Sequence, residues 1–224
     1  MTLVELLLAM SLASILVLTL LGINSIIFKS YRDIRSGWLC MQSLRSALAQ
    51  IDADLAQCAC LLPPDMKAAY QGGTLFISGV PATSSHRGLS VHHRVPPPYF
   101  SIVQDVSGSS ITLDAVDIDQ DGQDDYWANL GVITESGPHV ITGSYSRGSR
   151  VLTLTSLARS SAGERAVPSV NYTVKEDGLY RNNQLLAEAV CSLEATVSPS
   201  KVTVTLKACC HGKEKILSYT HPLY

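Results

Sequence analysis

Leu6 to Phe28 is a run of 23 residues without a charge or a proline and with one glycine, Gly22. As a helix rising 1.5 Å per residue it is about 34 Å long, enough to cross a hydrocarbon core of about 30 Å. Lys29, Arg32 and Arg35 follow at once, the kind of flank that stops at a lipid headgroup boundary. A secretory signal peptide has a basic start and a shorter apolar core. This run has no basic start and is longer, so a membrane-embedded helix over 1–28 is expected, leaving the rest of the chain on one side of the bilayer.

Glu5 is the one charged side chain before Lys29. A carboxylate near the end of an apolar helix is costly and usually has a partner. The cation this reading asks for is an α-amine, best supplied by a neighbouring copy.

Met1-Thr2-Leu3-Val4-Glu5-Leu6-Leu7-Leu8-Ala9-Met10 resembles the mature N-terminus of type IV pilins and type II secretion pseudopilins. That family shows an apolar first residue, then Thr-Leu-Ile/Val-Glu-Leu, then an unbroken apolar run. The resemblance implies that Met1 carries an N-methylated amine and that Glu5 pairs with the amine of an adjacent subunit during assembly. It implies a structural role rather than catalysis, with other pilin or pseudopilin subunits and the inner membrane as partners. Arg45 to Leu55, reading Arg-Ser-Ala-Leu-Ala-Gln-Ile-Asp-Ala-Asp-Leu, is similar to the helix of the larger minor subunits, of the PilW and GspJ kind. A minor subunit at initiation or at the tip of the filament is the expectation that follows.

Beyond the membrane segment, apolar residues recur at Ile34, Trp38, Met41, Leu44, Leu48, Ile51, Leu55, Cys58 and Leu62, every step three or four. That spacing predicts one amphipathic helix continuing over 29–62, from Thr2 to Leu61 in all, ended by Pro63-Pro64. From Gly72 the pattern changes to short β-rich runs between turn residues, from Thr74–Ser78 through Ser110–Val116, Arg150–Ser156 and Leu185–Val197 to Lys201–Ala208 and Ile216–Thr220. Strict alternation in Val202-Thr203-Val204-Thr205-Leu206 reads as a half-buried antiparallel strand. The expected fold is α+β: a long N-terminal helix, half membrane and half core, packed on antiparallel sheet formed by a globular part over 63–224.

Six cysteines stand at 40, 58, 60, 191, 209 and 210. On an exported side they are free to form disulfides. A staple from Cys58 and Cys60 at the helix end to Cys191, Cys209 and Cys210 is expected, with Cys40 buried as a thiol. Zinc held by Cys58, Cys60, Cys209, Cys210 and His211 is the alternative, although the spacing lacks the usual two-residue gap.

No Lys or Arg occurs between Arg94 and Arg147, 52 residues that carry eight acids. Asp117, Asp119 and Asp121 with Gly122 match positions one, three, five and six of a calcium loop, where alternate carboxylates converge on one hard cation and glycine permits the turn. Gln123 and Asp125 complete the candidate set; position twelve is Ala128, so Asp124 or Asp125 has to replace the usual glutamate. The net charge is −2, from 17 basic and 19 acidic residues, so no global basic field points to nucleic acid. No serine sits in a nucleophile setting, and an enzyme is not expected. His86, His92 and His93 lie in a proline-bordered loop and read as exposed. A membrane-anchored extracytoplasmic binding module with a calcium-stabilised loop is the other functional reading.

Overall fold

The computed structural model describes residues 3–58, 62–79, 100–118, 122–210 and 213–223. Helix α1 spans Leu3–Ala56 without interruption, 54 residues and therefore about 80 Å. The chain turns at Gln57–Cys58, short of the expected end at Leu61. A four-residue helix α2, Pro64–Lys67, then opens with proline in its first turn, where the missing N–H costs nothing.

Thirteen strands follow among the described residues: β1 Ala68–Gln71, β2 Thr74–Ser78, β3 Ser101–Ser107, β4 Ser110–Leu113, β5 Gly131–Thr134, β6 Gly137–Val140, β7 Val151–Thr153, β8 Arg165–Lys175, β9 Gly178–Arg181, β10 Gln184–Glu188, β11 Val190–Ser198, β12 Lys201–Cys210 and β13 Lys213–Pro222. All pair antiparallel. The long strand β8 is the spine of the larger sheet. One of its edges takes β2 and β3; the other takes β9 and β5. Strands β11, β12 and β13 form a separate meander. The α+β expectation, a long apolar N-terminal helix with antiparallel sheet, is what the chain adopts.

The run expected as one strand over Leu185–Val197 is two. Ala189 sits at φ 61° between β10 and β11, a left-handed conformation that a continuous strand excludes. Strands β1 and β5 have no counterpart in the sequence reading.

Three hydrophobic clusters make up the head among the described residues, the smallest being Leu62, Met66, Phe76, Ile133 and Val167. Cys40, Leu44, Ala47, Leu48, Ile51 and Leu55 from α1 meet Leu75 and Ile77 of β2, Val170 and Tyr172 of β8, and Val202, Val204, Leu206 and Ala208 of β12. A second cluster, built on Val103, Ile111, Leu113, Tyr126, Leu130, Val132, Leu152 and Leu154, contains no residue of α1. It belongs to the excursion between β2 and β8, which carries the acidic segment.

Among the described residues the helix is uncovered below Ser36. The large apolar side chains described between Leu3 and Phe28 are each more than half exposed, and the span is long and apolar enough to cross a membrane. The expected stripe is corrected at its lower end. Ile34 and Trp38 are 72% and 63% exposed and do not touch the sheet. Two consecutive three-residue steps, Trp38 to Met41 to Leu44, each lag a helical turn by about 60°. The stripe therefore winds off the face that begins at Cys40.

Candidate functional site

The assembly residues expected at the N-terminus meet the structure in part. Met1 lies outside the described residues. Glu5 is placed by its backbone as the third residue of α1.

The upper half of α1 is fixed to the head by two polar anchors that the apolar spacing of the helix does not mark. Asp54, buried, accepts hydrogen bonds from Arg181 Nε at 2.8 Å and Nη2 at 3.0 Å, and from the Tyr172 hydroxyl. The fork of the guanidinium matches both carboxylate oxygens. Burial, reinforced by Asp54, pushes the Tyr172 hydroxyl well above the ordinary tyrosine range, so it stays a donor. One helical half-turn earlier, Asp52 Oδ1 accepts from Tyr219 at 2.7 Å and lies 2.8 Å from His221 Nδ1. The Tyr219 hydrogen bond, joined by His221, holds the Asp52 carboxyl below its usual range. Two carboxylates two residues apart near the end of a mostly apolar helix were the available signal. Their partners, more than a hundred residues away, had none.

The cysteines depart from expectation. Cys40 is not a buried thiol: it is bonded to Cys210, with Cα atoms 6.5 Å apart. Cys191 is bonded to Cys209 across the β11–β12 pair, Cα to Cα 5.9 Å. The three late cysteines are thereby committed, so the staple from Cys58 and Cys60 to the last strands does not form. The zinc alternative falls with it, since Cys209 and Cys210 are both disulfides; Cys60 and His211 lie outside the described residues. Half-buried Cys58 packs against the core of α1. The helix is stapled from its middle, one turn below the first buried leucine.

Of the expected calcium ligands, Asp119 and Asp121 lie outside the described residues, as do His86, His92 and His93. Asp117 Oδ2 accepts from Gly122 N at 2.9 Å, closing the loop on itself. Gly122 has φ 85° there, a conformation that favours glycine. Asp125 is fully buried and its Oδ2 accepts from Ile118 N at 2.6 Å. Gln123 is half-buried beside them. Asp124 turns away, accepting from the Tyr145 hydroxyl at 2.8 Å and Gly148 N at 2.5 Å. It thus ties the acidic loop to the β6–β7 connection. Among the described residues no three His, Cys, Asp or Glu side chains converge as a metal site. Tyr126, buried, donates to Ala166 O at 3.0 Å and lies 3.2 Å from Ser101 Oγ, pinning the loop to β8.

A groove of about 650 Å³ runs between α1 and the β10–β11 turn, lined by Ser36, Leu39, Ser43, Glu188 and Cys210. Compared with known proteins, the chain matches no family model, no curated protein and no solved structure.

Proposed function

We propose that the chain is a minor structural subunit of a type IV pilus or type II secretion filament, acting at initiation or at the tip. The observation that carries this reading is the division of one unbroken helix. Its upper half is built into the head by a hydrophobic face, two carboxylate anchors and a disulfide, while its lower half is apolar, uncovered and carries Glu5. A helix apolar on every side needs lipid or other apolar helices around it. In this reading it lies first in the inner membrane, with the head in the periplasm, and then in the core of a filament. Glu5 neutralises the N-terminal amine of the neighbouring subunit and sets axial register as the subunit docks, since an unpaired carboxylate in that apolar setting is expensive.

Mass spectrometry of the N-terminal peptide from native membranes, with a Glu5→Ala variant beside it, tests the proposal. The expected results are an N-methylated α-amine on Met1 and loss of the variant from sheared filaments at unchanged membrane abundance. An unmethylated initiator Met1 with normal incorporation of the variant would overturn it in favour of a membrane-anchored module that does not polymerise.

A further inference from the structure

The two disulfides leave β12 from consecutive residues, Cys209 and Cys210, yet they stand in different surroundings. Successive side chains of a strand point to opposite faces. Val202, Val204, Leu206 and Ala208 face the core shared with α1. Cys210 continues that row and meets Cys40, which is 2% exposed. Cys209 points the other way, and both it and its partner Cys191 are exposed. On β11 the register shifts between Val190 and Ser192, which face the consecutive residues Ala208 and Lys207. Cys191 is therefore the extra residue of a β-bulge, left out of the ladder.

We propose that Cys191–Cys209 is a site of reversible thiol–disulfide exchange with an external dithiol, and that Cys40–Cys210 is closed to the same reagent. Exchange requires a thiolate to reach a disulfide sulfur. The outer bond joins two residues that solvent already reaches. The inner bond is reached only when α1 lifts from the sheet, and opening a packed seam draws on the stability of the core. A thiolate of the dithiol attacks one sulfur of the outer bond, forming a mixed disulfide and expelling the other cysteine as a thiolate. The second thiol of the reagent, as thiolate, then attacks the reagent's own sulfur and releases the remaining cysteine. Two electrons pass to the protein, two protons end on Cys191 and Cys209, and the dithiol leaves as a disulfide. The freed Cys209 does not pass the reduction inward, because Cys210 lies on the opposite face of the strand. Cys209 N donates to Ala189 O at 2.9 Å, and Glu188, Ala189 and Cys209 line the groove beside α1. Exchange thus acts at the rim of that groove while the helix stays stapled.

This inference rests on the placement of the outer bond, and neither membrane anchoring nor filament assembly enters it. The test treats the full chain in detergent, without denaturant, with graded dithiothreitol. Free thiols are capped with a light maleimide, and after denaturation and full reduction the rest are capped with a heavy one. Peptide mass spectrometry reads each cysteine separately. Cys191 and Cys209 are expected to take the light label more than about tenfold faster than Cys40 and Cys210, and to lose it when oxidised glutathione is restored before capping. In a Cys191→Ser/Cys209→Ser variant, Cys40 and Cys210 should keep the slow labelling of the wild type. Joint labelling of all four, earlier labelling of Cys40 and Cys210, or no light label short of denaturation would overturn the proposal.

Discussion

His139 shows what a single residue of the second lobe contributes. It lies on β6, 5% exposed, with Nδ1 3.4 Å from Ser156 Oγ and Nε2 buried without a partner. Burial, with help from Arg159, lowers its pKa below the ordinary histidine value. The unfolded chain titrates near pH 6.5 and the folded chain only at lower pH, so between those points the unfolded state binds more protons. The contribution of a neutral His139 is thus complete above about pH 6.5 and is lost as pH falls through that value toward the folded pKa. Denaturant titrations of wild type and His139→Gln at several pH values check this. Wild type is expected to lose stability from about pH 6.5 downward while the variant stays flatter. The Asp52 anchor, whose folded pKa is lowered, gives way only in the carboxylate range near pH 4 and below, so the two windows separate. Equal slopes in wild type and variant above pH 5 would exclude the assignment.

At the scale of elements, the two disulfides differ in what they hold. Cys40–Cys210 joins α1 to the end of β12 across 170 residues of sequence, whereas Cys191–Cys209 closes 18 residues within one hairpin. The longer closure restricts the unfolded chain more, about 5 kcal/mol against about 3 kcal/mol for the shorter. Serine replacement of Cys40 and Cys210 together should lower the melting temperature more than replacement of Cys191 and Cys209, measured in the same detergent. The reverse order would mean that the hairpin, not the helix seam, limits stability. The seam was only partly legible in sequence. Apolar spacing from Leu44 to Leu55 located the buried helical face correctly, because those positions keep a phase near 3.6. Extrapolating the same count back to Ile34 failed, because two three-residue steps carried it onto another side. Alternation found β12 from Val202 to Leu206. It missed β5, where Gly131, Val132, Ile133 and Thr134 are all buried and no period of two exists to be read. Disulfide partners and the Asp54–Arg181 pair depend on which strands lie beneath α1, and local pattern does not encode that. In the acidic loop the sequence located the turn at Gly122 but not the direction of Asp124, which is set by Tyr145 from another strand.

The whole molecule is an uncovered apolar rod, a head that owns the rod's upper half, and an acidic lobe whose core never touches the rod. Over 101–164 the chain carries nine acids and three arginines, so the lobe is net negative. The filament proposal needs the head to fold without the lower helix, because a subunit passing from lipid to filament changes what surrounds Leu3–Phe28 while the head stays intact. The burial pattern makes that separable. No side chain before Cys40 enters the core shared with the sheet, so a chain beginning at Arg35 keeps every buried contact and both disulfides. It is expected to be soluble, monomeric and within a few degrees of the full chain's melting temperature. A chain beginning at Ala49 loses Cys40, Leu44, Ala47 and Leu48 together with one disulfide. Each buried leucine is worth about 2–5 kcal/mol and the disulfide about 5 kcal/mol, against a total stability of about 5–15 kcal/mol. That chain is expected not to fold. Expression of both truncations into an oxidising compartment, followed by thermal melts, decides it: an unstable Arg35 chain would show that the head borrows its stability from the membrane segment, and the transfer from bilayer to filament would have to involve the head itself.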